Sequence, residues 1–434
     1  EIDPTQRAAK VAGRSPAAIL TSTFSDELAV SNGGKSKIFG VSVKDRGAVS
    51  LAGHAGKAFW FSKATGEFVT STYYYDQYPA WVEGWNARKP AAAYSGKSWS
   101  LLHEASRYTF GDADDRDYET DFPGFGRTFP HPYGQPDDKY FTTRLTLSPA
   151  GDELTLDFAK TLLDNEQLGA DEITDYLAVS FSSTDYVGHI FGVSSLESED
   201  NIARLDRTLA DLLAHVDERI GLQNVLIVLS ADHGQPDVPG YLHELGIKNS
   251  HYFDTDALDK APAIAALKKQ FGIGEELIEA FFQPYLYLDR DLIRAKGLDQ
   301  AAVENAVAAE LEKFEGVAAA VSSTAMRTSN LPDTLMTRAI LRNFQPKRSG
   351  DIYLVFEPNV FINDFDGLTV ASTHGSPWRY DTYVPVIFAG AGLEPQTVSR
   401  PVTPYDIAPT LATYLGIAPP SGAIGNPLPE VIGD

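Results

Sequence analysis

Asp185 and His189 stand four residues apart as D-x-x-x-H, Asp232 and His233 are adjacent just before Gly234, and His374 lies in the run Ser372-Thr373-His374-Gly375-Ser376-Pro377. One turn of helix, or a compact loop, can aim a carboxylate and an imidazole at that spacing toward one cation. Alone the pair carries little weight, because any acidic helix supplies such spacings. Asp232 alone reads equally well as an Asx-turn residue capping the following segment, with His233 a bystander. Taken together, the residues form a thiolate-free oxygen and nitrogen donor set of the kind that suits zinc. Two such cations about 4 Å apart can clamp the attacking and leaving oxygens of an in-line displacement at phosphorus. The chemistry expected is metal-assisted hydrolysis of a phosphate ester with two zinc ions, magnesium or calcium being further candidate cofactors.

Elements that could position these residues are visible as apolar runs ending in turns crowded with reactive side chains. They are Lys37 to Val43 followed by Lys44-Asp45-Arg46, Tyr176 to Phe181 followed by the segment holding Asp185 and His189, and Val225 to Leu229 followed by Ser230-Ala231-Asp232-His233-Gly234. Each run is consistent with a buried strand. Between the second and third, Ile202, Leu205, Leu209, Leu212, Leu213, Val216 and Ile220 recur at helical spacing, so the order is strand, helix, strand. Such a crossover makes the two strands parallel neighbours, and ligands collect beyond the carboxyl ends of parallel strands. A hairpin is expected over Phe59 to Thr72, turning at Ala64-Thr65-Gly66, with helices over Asp299 to Phe314 and Pro404 to Leu415. Short apolar runs at Tyr353 to Phe356 and Val384 to Ala389 flank His374.

The order D-x-x-x-H, Asp-His-Gly, then a late Thr-His-Gly resembles the alkaline phosphatase superfamily. Gly33 to Arg46 is similar to the segment that carries the substrate-binding Lys-x-Arg of single-chain bacterial alkaline phosphatases of the phosphate-irrepressible type. The likeness runs from about Ser15 to Pro404-Tyr405-Asp406-Ile407-Ala408-Pro409-Thr410-Leu411. The resemblance implies an α/β fold, a three-layer α/β/α sandwich with a mostly parallel central sheet. It would form one catalytic domain over 1–434 with a cap insertion at 89–150. It implies that Asp185, His189 and His374 hold one zinc, that Asp232 and His233 contribute to the other, and that Lys44 and Arg46 grip the non-bridging phosphoryl oxygens. A guanidinium fork matches phosphate geometry, and a monoester dianion offers it more charge than a diester does. Export to the periplasm or outside the cell follows from the resemblance alone.

The same resemblance calls for a third carboxylate on the second zinc and a Thr or Ser nucleophile, both upstream of Lys44. Asp3 stands in the polar opening Glu1-Ile2-Asp3-Pro4-Thr5 with no apolar strand before it, and Thr21 and Thr23 precede a helix-like run. The expectation is that the chain lacks its first strand and nucleophile helix. On that expectation it is inactive alone, the absent N-terminal segment of the same protein is a candidate partner, and a covalent phospho-enzyme forms only in the complete protein.

Composition narrows the alternatives. The 434 residues are 43% hydrophobic and 22% charged, enough for a sizeable core; length alone suggests about three domains, but α/β enzymes often run to a single large sheet with insertions, and one large domain with a decorated cap is expected. With 36 Lys and Arg against 59 Asp and Glu, the charge of −23 argues against a nucleic-acid partner and for small phosphate esters met at a local cationic site. Absence of cysteine removes thiolate ligands and nucleophiles. No apolar run reaches the ~20 residues of a membrane span. Gly34-Lys35-Ser36 imitates the end of a phosphate-binding P-loop, but Ala29 stands where that motif requires Gly, and the segment leads into a strand. A nucleotide pyrophosphatase/phosphodiesterase shares the metal ligands but generally lacks Lys-x-Arg, a sulfatase requires a modified Cys or Ser, and a non-catalytic metal-binding relic would fail to hold a full metal complement. The Asp-rich run Gly111 to Asp117 reads as a solvated turn rather than a calcium loop, and Tyr73, Tyr74, Tyr75 and Trp81 as either packing or a substrate mouth.

Overall fold

In the computed structural model residues 13–365, 368–390 and 392–433 are described; the Glu1 to Thr5 opening lies outside them. The chain divides into two compact units, Glu1–Asp232 with Pro385–Asp434, and His233–Val384.

The first unit is built on strands that the apolar runs foretell. Helix α1 (Phe24–Ser31) begins at a capping box between Thr23 and Asp26. Strand β1 (Ile38–Ser42), buried at every position, leads through helix α2 (Asp45–Ala52) to the hairpin of β2 (Lys57–Ser62) and β3 (Glu67–Val69). Helix α3 (Ala80–Ala87) follows. The segment expected as a cap insertion contains two-residue strands β4 (Ser98–Trp99) and β5 (His131–Pro132), helix α4 (Phe141–Thr146) and the start of α5 (Pro149–Glu166). Then come β6 (Tyr176–Ser180), α6 (Ser183–Phe191), α7 (Leu196–Arg219) and β7 (Leu226–Ser230). After the second unit the chain adds β16 (Val386–Gly390), α15 (Ile407–Tyr414) and α16 (Pro429–Ile432).

Strands β1, β2 and β6 pair in parallel with β1 central, while β3 closes one edge antiparallel. Alternation along β2 supplies two faces. Ala58 and Trp60 join Ala48, Val49 and Ala52 of α2 in one cluster. Phe59 meets the ring of Phe158 on α5 at 5.3 Å, and Phe68 stacks on the same ring at 4.3 Å. Helices therefore cover both sheet faces, giving helix, sheet, helix. Trp81 packs against Phe59 and Phe158 and donates its Nε1–H to Glu166, and Tyr74 is buried, so these two aromatics belong to the core rather than a substrate mouth.

One expected neighbour relation is replaced. Among the described residues β6 pairs with β1, while β7 pairs antiparallel with β16 over Leu226 to Ser230. Periodicity signals a crossover helix but not which strands it links side by side.

The second unit is organised on an antiparallel sheet in the order β11-β12-β10-β9. Its elements are α8 (Pro239–Glu244), β8 (His251–Tyr252), α9 (Pro262–Gln270), β9 (Ile278–Phe282), β10 (Tyr285–Leu288), α10 (Arg290–Ala295) and α11 (Gln300–Leu311). There follow β11 (Val317–Ser322), α12 (Ser323–Thr328), α13 (Leu335–Asn343), β12 (Ile352–Phe356), β13 (Val360–Phe361), the β14–β15 hairpin (Asp364–Phe365 and Leu368–Thr369) and α14 (Arg379–Thr382). One core holds Ile264, Leu267, Val303, Val307, Leu311, Leu286 and Leu354, and a second holds Met326, Ile340, Tyr285, Tyr353 and Val355. Alternate residues of β10 and β12 thus serve opposite faces. No helix among the described residues is long and apolar enough to cross a membrane.

Gly40 is where β1 meets α2 most tightly, since an added Cβ would lie 2.3 Å from the Ala48 carbonyl oxygen, whereas one at Gly84 would meet nothing within 4 Å. Gly40→Ala is expected to lower unfolding free energy by about 2–3 kcal/mol. Gly84→Ala, inside α3, should be neutral or raise it by up to ~1 kcal/mol. Denaturant titration of both variants checks the contrast.

Candidate functional site

Register decides where the first unit's reactive side chains meet. Along the parallel β1–β6 ladder Ile38 faces Tyr176 and Ser42 faces Ser180, so both strands finish at the same level. Lys44 comes two residues after one strand end, and Asp185 sits in the first turn of the helix beyond the other. Three serines tie the two turns together: Ser42 Oγ is 3.0 Å from Ser182 Oγ, Ser182 Oγ is 2.7 Å from Ser180 Oγ, and Lys44 N donates to Ser42 Oγ at 3.0 Å. At this edge Lys44 Nζ pairs with Asp185 Oδ2. His189, one turn further along α6, places Nε2 3.4 Å from the same oxygen, with side-chain exposures of 5% for His189 and 13% for Asp185. A carboxylate and an imidazole this close and this buried have the spacing of a shared cation site.

Arg46, on the first turn of α2, is exposed and lines a cavity of about 410 Å³ with Lys44 and Tyr186. Asp232 is exposed two residues past β7.

In the second unit His233 and His374 come together as stacked imidazoles, ring centroids 3.4 Å apart and planes within 13°. His233 Nδ1 lies 2.8 Å from the Gly234 carbonyl oxygen, a bond that makes Nδ1 the protonated nitrogen and leaves Nε2 as donor to a metal. The His374 turn is held by Asp381, whose Oδ2 accepts from Gly375 N at 3.0 Å, Ser376 N at 2.7 Å and Ser376 Oγ at 2.6 Å. Burial pushes the Asp381 carboxyl upward from its ordinary range. Gln283 Nε2 also donates to the His374 carbonyl at 2.9 Å.

The donors in each unit, one carboxylate with imidazole and one imidazole pair, fit zinc in type. Asp152, Asp381, Tyr186 and Lys63 belong to these surroundings and went unnoticed in the sequence. Only Asp152 left a signal there, an acidic residue on the otherwise small and apolar face of α5 among Gly151, Thr155, Leu156 and Ala159.

Comparison with known proteins places this architecture. The family model described as type I phosphodiesterase / nucleotide pyrophosphatase matches residues 26–377. The chain belongs to that family, within the alkaline phosphatase superfamily. It is 39% identical over 427 residues to a protein of Myroides odoratus named calcium-transporting ATPase, covering 98% of this chain and 77% of that one. It is 35% identical to alkaline phosphatase PafA of Elizabethkingia meningoseptica, covering 98% and 76%. The crystal structure of wild-type PafA superposes with a TM-score of 0.87 at 34% identity, covering 97% of this chain and 79% of that one, so the expected alkaline phosphatase-like α/β fold is present, with a mixed sheet.

Asp152 lies fully buried under the start of α6, where its Oδ1 accepts from Ser183 N at 3.1 Å. Burial pushes its carboxyl up to about 7. Since the fold prefers the neutral acid, its contribution to stability is complete below the ordinary carboxylate range and is lost as pH climbs through about 7. Asp152→Asn, neutral at every pH, should flatten that decline and raise stability at pH 8 by about 1–3 kcal/mol relative to the parent chain. Melting curves between pH 5 and 9 measure it.

Proposed function

We propose that this chain carries the metal and phosphoryl sites of a hydrolase of phosphate monoesters. The observation that carries the reading is the Lys44–Asp185 pair, which sets the cationic segment after β1 against a candidate metal ligand 141 residues away. Asp185, His189 and His374 would hold one zinc, with Asp232 and His233 contributing to the second. Bound zinc would supply Lewis-acid polarisation of the phosphoryl group and activation of the attacking oxygen.

The chain's own residues do the rest. Lys44 and Arg46 receive the non-bridging oxygens, and their two positive charges favour a dianionic monoester over a monoanionic diester. Support comes from relatives named alkaline phosphatase and from the pairing in the first unit. The reaction would pass through a covalent phospho-enzyme. Export to the periplasm or beyond the cell belongs to the same proposal. The family's own description as phosphodiesterase favours a second reading, hydrolysis of diesters such as nucleotide pyrophosphates.

In activity assays p-nitrophenyl phosphate should be turned over with kcat/KM at least ~100-fold above its bis-ester. Arg46→Ala should cost the monoester about 10²-fold and the diester much less, narrowing the ratio. Preference for the bis-ester would replace the monoesterase reading with the second one. Separately, chelation should abolish activity and added zinc restore it, while Asp185→Asn with His189→Ala should reduce bound zinc by about one ion per chain, measured by elemental analysis.

A further inference from the structure

The hairpin between β2 and β3 brings Lys63 to the same cavity as Lys44 and Arg46. Its ammonium lies 4.3 Å from the centroid of the Tyr186 ring, and that of Lys44 lies 4.5 Å from the same centroid. The ring therefore joins two cations that differ in engagement. Lys44 is paired with Asp185, whereas Lys63 is exposed and makes no ion pair among the described residues. Arg14 also lines the cavity, but Asp45 Oδ2 holds its Nε at 2.5 Å. Protein packed around the inner side of Lys63, then the charges of Lys44 and Arg46, lowers its pKa to about 8, with Asp45 acting in the opposite sense.

Size points the same way. The cavity is about 410 Å³, within the ~300–1,000 Å³ of small-molecule sites and more than a single phosphoryl group fills. A phosphoryl group at Lys44 and Arg46 leaves space toward Lys63 for the alcohol portion of the ester. The ring of Tyr186 supplies apolar wall for a short carbon chain there.

We infer that Lys63 is a specificity-determining residue that binds a second anionic group, phosphate or carboxylate, carried on the alcohol portion of the monoester. This rests on the monoester reading, and it names the substrate class for that site: short phosphorylated acids and bisphosphates rather than neutral alkyl or aryl phosphates. Because Lys63 meets solvent, its pair with such a group is of the exposed kind, which limits the discrimination to a few-fold.

The test uses two probes that differ in a terminal carboxylate, 2-phosphoglycolate and ethyl phosphate, titrated into the zinc-loaded chain by calorimetry at ~0.15 M salt. Ionic strength of this order screens distant charges and leaves the local contact. The parent chain should bind phosphoglycolate about fivefold more tightly than ethyl phosphate. Lys63→Met should bring the two affinities together, weakening phosphoglycolate about fivefold more than ethyl phosphate, and Lys63→Arg should keep the preference. Equal affinities in the parent chain, or a preference unchanged in Lys63→Met, overturns the inference and leaves the monoester site standing. Failure of the parent chain to bind either ester overturns both, and the two failures are thereby told apart.

Discussion

The pair between Lys44 and Asp185 is the contact on which the first unit's site depends. It exists because β1 and β6 run parallel and in register to the same level, so that the turns leaving them open side by side. A slip of one residue would turn Lys44 and its neighbours to the other face and leave the two charges apart. The side chains are only 10% and 13% exposed, so each charge has lost most of its water and depends on the other. A partly buried ion pair is a modest source of stability, since desolvation offsets much of the attraction. Under the proposed function its value is reciprocal neutralisation: a cation at Asp185 and a phosphoryl group at Lys44 would each take over the partner that the other surrenders.

Net charge makes this local arrangement necessary. A chain at −23 repels an anionic substrate at long range, so binding must come from cations gathered within the short distance over which salt does not screen them. Lys44, Arg46 and Lys63 are gathered in that way by two elements: the start of α2, which carries Lys44 as N-cap and Arg46 in its first turn, and the β2–β3 turn. Tyr186, directly after Asp185 in the chain, presents its ring to two of them.

Much of this was legible in the sequence. The apolar runs gave β1, β6 and β7 to within a residue or two, the 201–220 periodicity fell on α7 and its C-cap Ile220, and the Ala-rich run became α11 with Asp299 as its N-cap. D-x-x-x-H lies on one helix, as its spacing allows. What escaped depends on tertiary geometry. The pairing of β7 with β16 joins segments some 155 residues apart and has no local signature. Lys63 is an ordinary residue in a hairpin turn until the fold sets it beside Tyr186. Asp381 looks like any acidic residue in a polar stretch, though its burial and its three accepted hydrogen bonds organise the turn of His374.

The two units share one physical device for holding their ligand-type side chains. In the first, buried Asp152 accepts the backbone N–H of Ser183, two residues before Asp185; in the second, buried Asp381 accepts those of Gly375 and Ser376, directly after His374. Each carboxyl is pushed upward by burial, a cost the fold tolerates because each one fixes the backbone of a turn that carries a donor. Under the proposed function, fixing the turn beforehand would let Asp185 and His374 give up little conformational freedom on meeting a cation, so that more of the coordination energy would appear as affinity. The same preorganisation gives the acids of raised pKa a place beneath the proposed ligands rather than among them: there they shape the backbone and would not compete for a metal.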